Sequence, residues 1–124
     1  MTYLDTHAVV WLYEGLINKL SQAALDRIRS DALFISPAVI LEIQFLHEIH
    51  RVTKTGPTIV AVLSDGIGLQ VCPLDFQSVV DSALSQSWVR DPFDRLIVAH
   101  AAASDAPLIT KDAKIRRHYK RAIW

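Results

Sequence analysis

One cysteine, four glycines and no apolar run near the roughly 18 residues that a membrane-crossing helix needs mark what this 124-residue chain has little of. Each scarcity removes a class of protein. Cys72, inside Leu69-Gln70-Val71-Cys72, has no partner for a disulfide or a cysteine-based zinc site, which suits a reducing cytoplasm; it reads as a strand residue. Gly66-Ile67-Gly68 is too short for a dinucleotide fingerprint and precedes a strand-like run, so it reads as a turn. No nucleophilic-serine motif is present, and Met1 to Asp5 carry no basic segment leading into an apolar core of signal-peptide length. The expectation is a soluble, cytoplasmic protein with no membrane partner. Without repeats, low-complexity stretches or a Gly-, Pro- or Ser-rich linker, residues 1–124 are expected to form a single domain. That length buries about two thirds of the surface of the unfolded chain and folds without staples.

Net charge is also absent, since 13 Lys and Arg balance 13 Asp and Glu. The balance is uneven along the chain. Residues 111–121 hold six basic side chains against one acid, while residues 1–110 hold seven against twelve. A basic tail thus follows an acidic body.

Short apolar runs alternate with amphipathic segments. Strands are expected at 2–5, 33–36, 69–72 and 107–110, and helices near 6–14, 21–30, 37–51, 56–65, 76–86, 92–104 and 112–118, before a final 122–124 extension. Ser36-Pro37 and Asp91-Pro92 each read as an N-cap followed by Pro at the first helical position. Such alternation predicts an α/β fold whose parallel sheet is covered on both faces.

Four acids stand where this fold builds sites. Ligands of open parallel sheets bind outside the carboxyl ends of the strands, so acids distant in sequence can meet there. Asp5 ends the first strand, Glu42 shares a helix face with Val39, Ile43, Leu46 and Ile49, Asp94 is surrounded in projection by Ile97, Val98 and Ala101, and Asp112 follows the 107–110 strand. Each has an ordinary alternative. Glu42 could pair with a buried Arg or Lys, Asp5 and Asp112 could cap the following helices, and Asp94 suits a helix first turn on dipole grounds alone; Asp91 is assigned to capping. Two carboxylates about 5 Å apart repel by on the order of 3 kcal/mol at an effective dielectric near 20, so a converging set calls for a cation. Mg2+ takes oxygen ligands and keeps several waters, and Mn2+ suits the same set. Such a metal activates water and neutralises charge at phosphorus, which points to phosphodiester hydrolysis without a protein nucleophile. Thr6 and Thr110, beside or near these acids, could orient a carboxylate or water, the ordinary alternative being a turn or cap residue at a strand end. His7, His47, His50, His100 and His118 lack a paired spacing that favours zinc and are left out of the site.

Tyr3-Leu4-Asp5-Thr6-His7, Ser36-Pro37 ahead of Glu42, Asp91-Pro92-Phe93-Asp94-Arg95 and Leu108-Ile109-Thr110-Lys111-Asp112 together resemble a PIN domain, and more narrowly the VapC-type toxins. The resemblance covers essentially the whole chain, with the Asp-Pro-Phe-Asp-Arg block and the later Thr-x-Asp block its most specific parts. It implies a PIN-like three-layer α/β/α fold with a short parallel central sheet. It also implies metal-site acids at Asp5, Glu42, Asp94 and Asp112, and Mg2+- or Mn2+-dependent cleavage of RNA. A homodimer is implied too, with a cognate VapB-type antitoxin whose tail blocks the site, commonly with a basic side chain among the acids.

For the RNA substrate, Lys111, Lys114, Arg116 and Arg117, with Lys120 and Arg121 beyond, form a candidate phosphate-binding edge, and Arg90 and Arg95 would extend it; the plain alternative is a solvated helix face. Trp11, Tyr13, Phe45 and Leu46 belong either to the core or to a dimer or antitoxin surface. Two rival functions keep the general architecture. One is a non-catalytic RNA- or antitoxin-binding module, disfavoured by the complete acid set. The other is a phospho-receiver domain, disfavoured because Asp5 stands without a second acid after the first strand.

Overall fold

The computed structural model describes residues 1–124. A five-stranded, wholly parallel sheet has the order β3-β2-β1-β4-β5, with helices on both sides. The strands are β1 Thr2–Leu4, β2 Leu33–Ile35, β3 Gln70–Val71, β4 Leu108–Ile109 and β5 Ala122–Ile123. The helices are α1 Thr6–Glu14, α2 Gln22–Ser30, α3 Pro37–Glu48, α4 Gly56–Ile67, α5 Phe76–Leu84, α6 Pro92–Ala103 and α7 Ala113–His118. No helix is long and apolar enough to cross a membrane.

β1 is central because every one of its residues is apolar enough, or well enough bonded, to lose both faces to the core. Thr2, Tyr3 and Leu4 are fully buried, and Tyr3 pairs with both Phe34 and Leu108. The Tyr3 hydroxyl donates to Cys72 Sγ at 2.9 Å and lies 2.9 Å from Ser104 Oγ. Burial and the Cys72 contact push its pKa up to about 12. Leu33, Ile35, Leu108 and Ile109 continue the same core, against Val9, Val39, Ile43, Ile59, Ile97 and Val98 from the helices.

Two of the four expected strands overshoot by the residue that caps the succeeding helix, and the 69–72 and 107–110 strands by one residue at each end. Asp5 and Ser36 leave their strands to accept hydrogen bonds from Ala8 N and Ala38 N. Cys72 lies just past β3, its amide still bonded to Ile35 O at 2.8 Å. Helix α3 stops at Glu48 rather than near 51, because His50 turns left-handed at φ 62°. Conversely α4 runs through Gly66 to Ile67 and is closed by Gly68 at φ 70°, so only the end of the Gly66-Ile67-Gly68 segment is a turn. Two features were not expected: a 3-10 turn at Ile17–Lys19, and the pairing of the C-terminal extension with β4 as an edge strand.

This strand order places a topological switch point at β1. From β1 the chain builds outward through β2 and β3, then returns to lay β4 and β5 on the other side. The crevice outside the carboxyl ends of β1 and β4 is where a ligand fits between diverging connections.

Candidate active site

Asp5 leaves β1 into this crevice. Its carboxylate caps α1, accepting from Ala8 N at 2.9 Å, and its own amide donates to Ile109 O at 3.1 Å, which ties it to β4. Asp112 follows β4 by the same logic: its side chain accepts from Ile115 N at 2.9 Å to cap α7, while its amide donates to Thr110 Oγ1 at 3.1 Å. Both acids are thus N-caps, and each cap bond engages one carboxylate oxygen, Oδ1.

Glu42 stands on α3 beside the fully buried Val39 and Ile43, and is itself half-buried. The Thr6 hydroxyl donates to its Oε1. No Arg or Lys pairs with it; the ion pairs of the molecule are Arg27–Asp31 and Arg121–Asp105. Ile49, expected on the same face, is 48% exposed because α3 has ended before it. Asp94 sits in the first turn of α6, half-buried, its amide donating at 2.9 Å to the N-cap carboxylate of Asp91.

All four acids line one cleft of about 430 Å³, together with Thr6, His7, Trp11, Asp91 and Lys111. They come from four separate places in the chain, after β1, on α3, on α6 and after β4. Desolvation lifts the Asp94 carboxyl most, and the neighbouring charges of Asp91, Glu42, Asp112 and Asp5 add to it, raising its pKa to about 7. Burial raises Asp5 as well, against the pull of its Thr110 and Ala8 hydrogen bonds and the His7 charge. No three acidic, histidine or cysteine side chains close into a finished metal cage. The donor set is hard oxygen throughout, which fits Mg2+ or Mn2+ and does not fit a soft-metal site.

The proposed phosphate-binding residues separate. Lys111 lines the cleft, whereas Arg116 and Arg117 line a shallow depression with Ala113, Ala122, Ile123 and Trp124. Lys114 is exposed on α7. Arg95 does not line the cleft: its Nε donates to Ala83 O at 2.9 Å, bracing α6 against α5. Two cleft residues carried no role in the sequence reading, His7, set aside with the other histidines, and Trp11, placed with the core or an interface. Their signal was position alone, two and six residues after Asp5 on the helix that Asp5 caps.

Four carboxylates of the cleft thus stand at the switch point of a short, wholly parallel sheet. The PIN domain family model matches residues 2–121, and the chain belongs to that family. The match sets aside the phospho-receiver alternative. Among solved structures, a toxin-antitoxin complex from Klebsiella pneumoniae is similar in fold at TM-score 0.69 and 16% identity, over 100% of this chain and 97% of that one. VapBC2 from Rickettsia felis bound to a promoter DNA fragment gives 0.65 at 17%, over 100% and 98%. DNA-bound VapBC from Salmonella typhimurium gives 0.62 at 19%, over 98% and 96%. No curated protein matches the chain.

Proposed function

We propose that this chain is a metal-dependent endoribonuclease and the toxin of a toxin-antitoxin pair, hydrolysing RNA phosphodiester bonds at the cleft of Asp5, Glu42, Asp94 and Asp112. One observation carries the reading: four carboxylates from four places in the chain line one cleft, with no Arg or Lys in an ion pair with any of them. Carboxylates sharing one cleft, with Asp5 buried, Glu42 and Asp94 half-buried and Asp112 exposed, repel one another, and a divalent cation offsets that repulsion. Bound among these acids, Mg2+ or Mn2+ supplies activation of water and neutralisation of charge at phosphorus.

The chain's own residues prepare that chemistry. Thr6 orients Glu42, Thr110 steadies Asp5 and the amide of Asp112, and the N-caps of α1 and α7 fix Asp5 and Asp112. Lys111 on the cleft wall offers the substrate phosphate a positive partner beside a negative site. Arg116 and Arg117 extend the basic edge along α7.

A VapB-type antitoxin as partner is supported by the fold similarity to toxin-antitoxin complexes. Its tail would cover the cleft and place a basic side chain among the acids. A second copy of this chain completes the proposed assembly, in the cytoplasm.

The test is cleavage of a mixed RNA pool by purified wild type and Asp94→Asn protein, each with Mg2+, Mn2+ or chelator. Wild type should cut only with metal, and the variant should lose at least a hundredfold in rate while keeping its fold by circular dichroism. Equal cleavage by both proteins would refute the metal-site role of Asp94.

A further inference from the structure

Trp11 is the one apolar side chain among the nine residues that line the acidic cleft. An indole on a wall otherwise built from acids, a threonine, a histidine and a lysine does not serve metal binding. Its surroundings are unusual in a second way. The Trp124 ring meets it edge-on at 5.8 Å and 60°, and the exposed His7 ring lies 5.8 Å away at 49°. Lys19 Nζ and Lys111 Nζ stand over the Trp11 ring at 5.6 and 5.9 Å from its centroid. Both lysines are exposed, so neither is committed to the core.

Aromatic rings edged by cations are how proteins hold single-stranded nucleic acid: a base stacks on the ring while the cations follow the backbone. Duplex RNA cannot use such a platform, because its bases are already stacked and its grooves present phosphates and edges. Trp124 and the core fix the Trp11 ring, which lowers the entropy cost of stacking. Lys111 lines the acidic cleft and also reaches the indole, so it joins the two parts of the surface.

On the nuclease reading, which this inference deepens, we propose that Trp11 is a stacking platform for one unpaired base of the substrate, with Lys19 and Lys111 on the flanking phosphates. Trp11 is thereby a specificity-determining residue that reads an unpaired base, rather than a metal ligand. The lysines now over the indole move outward to the backbone when a base takes their place. Trp124 acts through Trp11, holding its orientation.

The experiment measures binding and cleavage separately. Binding is followed by fluorescence anisotropy, with Ca2+ in place of Mg2+, for three probes of equal length: a short fluorescein-labelled oligoadenylate, its duplex with oligouridylate, and the same ribose-phosphate chain without bases. The proteins are wild type, Trp11→Phe and Trp11→Leu, the last keeping apolar bulk against the core without a ring; melting temperatures confirm that each is folded. Wild type should bind the oligoadenylate on the order of tenfold or more better than the duplex or the baseless chain. Trp11→Leu should lose that margin, and Trp11→Phe should keep most of it. Cleavage of the oligoadenylate in Mg2+ should show the loss in KM more than in kcat.

Equal binding of the oligoadenylate by wild type and folded Trp11→Leu, or equal binding of the base-bearing and baseless probes, overturns the platform and leaves the aromatic corner to a protein partner. In that case metal-dependent cutting that is absent in Asp94→Asn still upholds the nuclease reading. Base-dependent binding through Trp11 without any cutting upholds the platform and overturns the nuclease reading. A wild type that neither binds nor cuts RNA overturns both.

Discussion

Asp94 is the residue whose chemistry is most exposed to test. Its carboxyl, raised to about 7 by desolvation and by the charges of Asp91, Glu42, Asp112 and Asp5, stays protonated in the folded protein at pH values where the unfolded chain has released the proton. The folded state then binds more protons than the unfolded one between about pH 4 and 7, so this contribution to stability is complete below pH 4 and is lost as pH rises through about 7. A divalent cation acts in the opposite direction, since it binds the ionised form. The melting temperature gained on adding Mg2+ should therefore grow from pH 5.5 to pH 8, and Asp94→Asn should flatten that trend; a gain independent of pH in the wild type would contradict it. His100 tilts the profile the other way. It is buried, 3.0 Å from Leu96 O through Nδ1, and desolvation lowers its pKa, so stability falls with acidification below about 6.5 in both proteins. That the four acids share one cleft was legible in the sequence because each stood after a strand or on an apolar helix face, even though capping, ion pairing or the helix dipole offered each an ordinary alternative. Trp11 and Arg95 were not. An aromatic near a helix start reads as core, and an Arg beside an acid reads as a ligand contact, until packing shows that Trp11 lines the cleft and Arg95 braces α5.

At the scale of elements, this chain relies on caps. All seven α-helices begin with a Ser, Thr or Asp whose side chain accepts a hydrogen bond from an amide of the first turn. That is why helix starts were readable from Ser36-Pro37 and Asp91-Pro92, and why β1 and β2 were misjudged at their ends: in strands of three residues, a cap taken for a strand residue is a large share of the element. The β5 pairing was illegible for a different reason. Ala122-Ile123 has no alternation of its own, and its register comes from Leu108 and Ile109 next to it. One close approach is fixed by a glycine. Gly56 opens α4 against α3, its amide donating to Gln44 Oε1 at 3.1 Å, and a Cβ there would collide with the Ile40 carbonyl oxygen. Backbone cannot yield as a side-chain tip can, so Gly56→Ala should destabilise the fold by about 1–3 kcal/mol, as overpacking does. Urea unfolding measures it, and an unchanged midpoint would mean that α4 is free to shift. Because α3 carries Glu42, the same variant should also weaken Mg2+ binding.

The whole molecule divides its surface by chemistry, and the division was only half visible in composition. A charge split between an acidic body and a basic tail could be counted, and the topology turns it into a cleft of acids with Lys111 on its wall. What could not be counted was an apolar groove of about 640 Å³ lined by Pro37, Ala38, Leu41, Leu74, Phe76, Pro92, Phe93, Leu96 and His100. Leu41 and Phe76 are 62% and 70% exposed, which helical periodicity alone would not assign to solvent. An apolar groove flanked by exposed Leu41 and Phe76 is a candidate contact face, and in a two-fold dimer the same face serves both copies. The groove runs over the starts of α3 and α6, the helices that carry Glu42 and Asp94, so a second copy seated there would stiffen half of the acid cluster. The proposed homodimer should therefore use this face. Wild type should sediment as a dimer with a melting temperature that rises with protein concentration, while Phe76→Asp should sediment as a monomer with a lower, concentration-independent one. Since Phe76 is largely exposed, the substitution costs the isolated fold little, and a loss of mass therefore reports the interface. A dimer of unchanged strength in Phe76→Asp would move the contact to another face, and a monomeric wild type would remove the second copy from the assembly.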